Sequence, residues 1–277
     1  MNRGHQVETL AWRVGSLVVI AYALLPVAWI TSLSLKPSHE LNDGRFLPQS
    51  PSLEHYSAVF ADAQFPAALW NSVGIAALAT LLSVLLAMFA SYAIVRLRFR
   101  GRALVLAAAL SIAMFPPIAI VGPLFNMWRL TGLYDTWPGL ILPYMTFTLP
   151  LAIWILTALF RDIPWDLDRA ARVDGATPFQ AFWYVIVPLA APGVFTAAIL
   201  VFIFAWNDFL FAAALTSTNS ARTVPVAIAF FTGSSRFDLP TGSIAAASVL
   251  VTIPVVSAIL VFQRRIVAGL TAGAVKG

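Results

Sequence analysis

Residues 69–95 read LWNSVGIAALATLLSVLLAMFASYAIV, an uncharged apolar stretch that ends against Arg96. About 20 helical residues cross the ~30 Å hydrocarbon core of a bilayer, so a run of this length is read as a membrane-spanning helix. Working outward, the same reading applies to residues 14–35, 103–128, 136–160, 192–214 and 239–263, each uncharged or nearly so. Six spans make an all-α membrane protein and place both termini on one side. The composition agrees, with 60% hydrophobic and only 10% charged residues, against about 25% charged in a soluble domain. The first span exceeds the ~7 to 15 residue core of a cleavable signal peptide, and no small-residue cleavage site follows it. No repeat, low-complexity tract or linker divides the chain, so residues 1–277 read as one transmembrane domain.

Orientation follows from lysine and arginine. Twelve of them fall at the amino terminus, between spans two and three, between spans four and five, and at the carboxyl terminus, whereas five (Lys36, Arg45, Arg129, Arg222 and Arg236) fall on the opposite side. The positive-inside rule therefore makes both termini of this multi-pass protein cytoplasmic. The net charge of +5 is thereby explained by topology, and nucleic acid is discounted.

Much chemistry is excluded. Without cysteine there is no thiolate nucleophile, disulfide or sulfur-ligated zinc. Neither Lys36 nor Lys276 follows a glycine-rich turn, so no P-loop exists and the chain does not hydrolyse ATP. His5, His39 and His55 lie outside the spans and form no metalloprotease helix, and no GxSxG elbow occurs. No catalytic residue, metal ligand or cofactor is expected in this chain.

Several features suit a transport path. Pro116-Pro117, Gly122-Pro123, Pro143 and Pro150 interrupt the third and fourth spans, and freed backbone groups survive at membrane depth where protein or a water-filled cavity satisfies them. Proline is also tolerated in membrane helices that line nothing. Asp208 is the ionisable residue placed clearly within a span, and such a group marks a functional site by default; equally, it reaches the outer interface or pairs with a polar neighbour. Asn71, Asn126, Tyr144, Trp206 and Asn207 offer hydrogen bonds or a flat ring to a neutral solute such as a sugar, and each has an ordinary interhelical contact as its plain alternative.

Between spans four and five, residues 163–193 read IPWDLDRAARVDGATPFQAFWYVIVPLAAPG. Pro164 starts a short helix, Asp174-Gly175 ends it, and Thr177-Pro178 starts another, giving a cytoplasmic helix-turn-helix with a small alanine face. This pattern resembles the EAA loop of integral permease subunits of bacterial ABC importers: E-A-A, three residues, G, nine residues, then I-x-L-P. Arg169, Ala170 and Ala171 fall on the triplet, Gly175 on the glycine, Val185 and Val187 on the aliphatic positions and Pro188 on the proline. Arg169 departs from the family's glutamate. The ending QRRIVAGLTAGAVKG (263–277), AWNDFLFA (205–212), DTWPGLILPY (135–144) and TGSIAAAS (241–248) are similar to maltose-type carbohydrate permeases, in particular to the second permease subunit of actinobacterial trehalose importers.

That resemblance implies the type I ABC importer permease architecture and a disaccharide such as trehalose or a maltose-like sugar. It implies a second related permease, two ATPase subunits that bind ATP and Mg, and an extracytoplasmic sugar-binding protein or lipoprotein. Arg169, Ala170, Ala171, Asp174, Gly175 and Pro188 would couple to the ATPase, the tail with Gly269, Gly273, Lys276 and Gly277 would reach the ATPase pair, and the outer loop 215–242 would probe the binding protein. The rival readings are an ion-coupled secondary transporter using Asp208 and an ABC permease for another solute such as glycerol phosphate.

Overall fold

The computed structural model describes residues 3–61, 63–97, 99–231 and 240–272, with side chains described between 11 and 261. Among the described residues there is helix and loop and no strand. In chain order the helices are α1 (Arg3–Leu35), α2 (Glu54–Ala61), α3 (Gln64–Arg96), α4 (Arg102–Ala113), α5 (Pro117–Thr131), α6 (Trp137–Asp162), α7 (Trp165–Val173), α8 (Pro178–Ala181), α9 (Val187–Trp206), α10 (Leu210–Leu215), α11 (Val224–Ala229) and α12 (Thr241–Ala272). Five of them, counting α8 to α9 as one, are long and apolar enough to cross a membrane, and the bent pair α4 and α5 makes up to six.

The fifth expected span is corrected, and the proline interruption expected in the third is a sharp bend. The third span is not one straight helix: α4 and α5 meet at 84°, because Pro116 is extended (φ −66°, ψ 118°) and Pro117 restarts the helix, as a proline forces on the residue before it. The fifth does not run from 192 to 214. It begins at Pro178 and continues through a wide π turn at Phe182–Ile186 to Trp206. The π turn lies just ahead of Pro188, whose ring would meet the carbonyl of Tyr184 in a regular α turn. The apolar part of the sixth runs Thr241–Val261, and its helix α12 continues to Ala272 and takes in Gly269; Gly273, Lys276 and Gly277 lie outside the described residues.

Although no linker was legible, the contacts group into two compact units. One comprises Met1–Phe65 with Ile228–Ile253. Here most of the apolar length of α1 is exposed, and the loop after it is ordered by buried polar groups. Lys36, fully buried, donates to Asp43 at 2.6 Å and to the Arg45 carbonyl at 2.6 Å, and lies 5.6 Å from the Trp29 ring. Glu40 accepts from the Ser50 hydroxyl and the Gln49 amide, and Glu54 from the Ser38 hydroxyl and amide. These bonds hold all three carboxyls below their ordinary titration range, Glu40 through Ser50 first, Asp43 through Lys36 and Glu54 through Ser38. His55 is buried too, with its imidazole packed against Gly242 where no side chain would fit.

The other unit comprises Pro66–Ala227 with Pro254–Gly277. Its core is built by α3, α6 and the helix through α9, with Val84, Met88, Tyr92, Leu156, Phe160, Phe182, Ile186 and Val201 buried together. Polar contacts join α3 to α6: Ser83 to Thr148 at 2.7 Å, and Ser91 to the Ile153 carbonyl at 3.0 Å. Lipid gives helices no hydrophobic reason to associate, so small residues and such bonds hold them. Pro143 sits inside α6 and cannot donate to the Gly139 carbonyl; the Trp128 indole of α5 does so instead at 2.6 Å.

Candidate coupling hairpin and transport path

At the end of α7 the backbone turns by a Schellman arrangement. Ala176 N–H donates to Ala171 at 3.0 Å and Gly175 N–H to Arg172 at 3.1 Å, which requires the left-handed conformation that Gly175 adopts at φ +89°. A Cβ there would meet nothing within 4 Å. The glycine therefore serves the tight turn and not a close approach of helices. Thr177 then accepts from Gln180 N–H while Gln180 accepts from Thr177 N–H, a capping box that starts α8.

The hairpin is fastened from its inner side. Asp168, 3% exposed, accepts from the Tyr92 hydroxyl of α3 at 3.0 Å and pairs with Arg172 at 3.1 Å. Arg96, also buried, donates to the Ile163 carbonyl at 2.7 Å and lies 4.7 Å from the Trp165 ring. Phe182 packs among Tyr92, Phe89 and Phe160 with ring centroids 4.7, 5.3 and 6.5 Å away. Sequence reasoning counted Arg96 only as a topology charge and gave Asp168, Tyr92 and Phe182 no role. The signal available was an acidic residue on the alanine side of an amphipathic helix.

The outer face carries the residues expected to couple. Arg169 is exposed and pairs only loosely with Asp166 at 3.6 Å; Ala170, Asp174 and Gly175 are exposed beside it, while Ala171 is buried against the inner side. Pro188 lies exposed beyond the π turn. Val173, Phe179 and Tyr184 add large apolar surface, 87%, 63% and 73% exposed, and Phe179 stacks on Trp183.

The six path candidates do not form one site. Asn71 is a correction: its amide donates to the Asn219 and Arg222 carbonyls at 2.9 and 3.0 Å and accepts from the Trp137 indole at 3.0 Å, so it fastens the loop after α10 to α3 and has no donor left for a solute. Trp206 is buried against Phe202, and Asn126 is exposed on α5. Tyr144, Asn207 and Asp208 do come near one another. Asn207 and Asp208 line a cavity of about 370 Å³ with Phe147, Ile203 and Phe204, and the buried Tyr144 hydroxyl faces Asp208 and Thr223. Asp208 also accepts from Ala212 N–H at 3.1 Å, which starts α10 after the break at Asn207. No cluster of metal-ligating side chains occurs among the described residues.

Asp135 was missed. It adopts φ +58°, accepts from the Ser217 and Thr218 amides at 3.0 and 3.2 Å and from the Thr218 hydroxyl, and so fixes the start of the loop after α10.

A family model described as a binding-protein-dependent transport system inner membrane component matches residues 83–271. The chain is 59% identical over 266 residues to the trehalose transport system permease protein SugB of Mycobacterium tuberculosis, covering 96% of this chain and 97% of that one. It is 42% identical over 266 residues to the trehalose/maltose transport system permease protein MalG of Thermococcus litoralis, covering 95% of each. In fold it is similar to a chain in the crystal structure of a bacterial ABC transporter involved in the import of the acidic polysaccharide alginate, with a TM-score of 0.80 at 23% identity, covering 95% of this chain and 98% of that one.

Proposed function

The chain belongs to the family of binding-protein-dependent transport system inner membrane components, and we propose from this premise that it imports a neutral disaccharide, trehalose or a maltose-like sugar. It is the permease subunit of a sugar ABC importer, an integral membrane protein with the type I importer permease fold and no ATPase activity of its own. The observation that carries the sugar assignment is 59% identity over almost the whole length of a trehalose permease. The cavity beside Asn207 suits the same solute, since Phe147 offers a flat apolar face and Asn207 a hydrogen-bonding amide.

In this reading both termini are cytoplasmic and the exposed face of α7 and α8 docks on an ATPase subunit. Arg169, Ala170, Asp174 and Val173 meet the ATPase surface. Gly175 shapes the turn, and the Asp168, Tyr92 and Arg96 anchors pass movement of the hairpin to α3. Pro188 sets the wide turn through which the same movement reaches α9, and the tail beyond Ala272 reaches the ATPase pair. A second permease completes the path, two ATPase subunits hold ATP and Mg, and an extracytoplasmic sugar-binding protein delivers the solute. Ion coupling through Asp208 is disfavoured because its carboxylate is engaged in starting α10, and a proton relay through a membrane needs further partners.

The assembled complex is purified through a tag on this chain and its ATPase rate measured with binding protein and candidate solutes. Stimulation by trehalose and not by glycerol phosphate is expected. Stimulation by glycerol phosphate alone overturns the sugar assignment, and absence of an ATPase from the complex overturns the class.

A further inference from the structure

A cavity of about 570 Å³ opens where the end of α3, the start of α4, the end of α6 and the start of α7 meet. Its lining includes Arg102 and Arg161, both exposed. Its wall is apolar, with Leu106 and Leu110 of α4, Val95 of α3 and the ring of Trp165. Arg96 lies against that ring, buried with two guanidinium nitrogens lacking a hydrogen-bond partner, and its charge is balanced by the nearby Asp168 carboxylate.

The two chemistries are ordered along α4. Arg102 occupies its first turn, and Leu110 lies about 12 Å further along at 1.5 Å per residue. A ligand that fits both ends has an anionic group for the arginines and a hydrocarbon portion for the leucines. An inorganic anion leaves the apolar wall uncovered, and a neutral lipid offers no charge to the two guanidinium groups. We infer that this crevice binds an anionic phospholipid, with its phosphate at Arg102 and Arg161 and the upper part of an acyl chain along Leu106 and Leu110. Basic pockets between helices at the cytoplasmic membrane surface recognise such headgroups. The inference rests on the cytoplasmic placement of these loops given above.

The test uses the assembled importer in nanodiscs of phosphatidylglycerol or of phosphatidylcholine, with retained lipid counted by native mass spectrometry. Phosphatidylglycerol is expected to stay bound and phosphatidylcholine to be lost. R102Q/R161Q is expected to weaken retention about thirtyfold, which corresponds to about 1 kcal/mol for each basic side chain at the surface; both positions are exposed, so the packing is unaltered. Leu106→Trp fills the apolar wall, leaves the charge in place and should also expel the lipid. Equal retention by the wild type and R102Q/R161Q overturns the proposal, as does displacement of the lipid by an equal concentration of inorganic phosphate. Retention of no lipid, with a cysteine at Leu106 crosslinking to another subunit, overturns it in favour of a protein contact. Because the readout is mass and not uptake, failure of the lipid site and failure of the sugar-importer reading are separately visible.

Discussion

Gly175 carries a left-handed backbone in open space, so the cost of replacing it is conformational and not steric. Gly175→Leu forces a branched side chain into a conformation that disfavours it by about 1 to 2 kcal/mol. Insertion into the membrane should persist while sugar-stimulated ATPase activity falls. Gly175→Asn should retain most of that stimulation, because asparagine tolerates this conformation; equal loss in both variants would point to a contact made by the glycine itself. A second residue-scale prediction concerns Asp168. Asp168→Ala leaves the Tyr92 hydroxyl and Arg172 without their buried partner, at about 1 to 3 kcal/mol, and should make residues 161–178 more open to limited proteolysis and lower the yield of co-purified ATPase. Unchanged proteolysis would remove Asp168 as the anchor. At this scale the turn was legible because Asp-Gly followed by Thr-Pro admits few conformations. The anchors were not, because the Asp168 to Tyr92 bond joins residues far apart in sequence, and the place of Asp168 on the alanine side of its helix does not name its partner.

The helices themselves follow from apolar runs, which is why their existence was readable, but their ends depend on partners outside the run. The bend after Ala113 is set locally by Pro116-Pro117 and was signalled. The break between α9 and α10 was not, since the start of α10 depends on the Asp208 carboxylate accepting from Ala212 N–H, and Pro188 and Pro192 resemble helix boundaries although the helix passes both. The ordered loop between α1 and α2 yields a prediction at this scale. Glu40, Asp43 and Glu54 titrate below their ordinary values of 4.5, 3.8 and 4.5. Lowered values in the folded state mean a stabilising contribution that is complete above the ordinary values and lost as the pH falls through the depressed ones. Amide hydrogen exchange, corrected for intrinsic rates, should show protection of residues 36–54 constant from pH 7 to 5 and declining below about 4. Protection that declines between pH 7 and 6 would contradict an origin in these three carboxylates.

Across the whole molecule, orientation rests on where the basic residues lie, and the chain's lack of cysteine makes it testable by single substitutions. His55 is buried and a poor reporter; Leu47 and Phe99, 69% and 39% exposed, are suitable. Leu47→Cys should react with an impermeant maleimide in intact cells and Phe99→Cys only after lysis, whereas the reverse pattern would invert the topology. Class and fold were legible at this scale because composition and the spacing around Gly175 are properties of the chain alone. The path was less so: of its candidates, Asn71 proved to be a fastening because its three bonds come from a distant loop and from Trp137. The central claim is that ATP hydrolysed by partner subunits, and not an ion gradient, drives sugar through this permease. The direct measurement is trehalose accumulation in proteoliposomes holding the assembled importer, with binding protein outside, ATP and Mg inside, and ionophores abolishing all ion gradients. The account predicts accumulation that requires enclosed ATP and is unchanged by the ionophores; accumulation that proceeds without ATP and stops when the gradients collapse would contradict it.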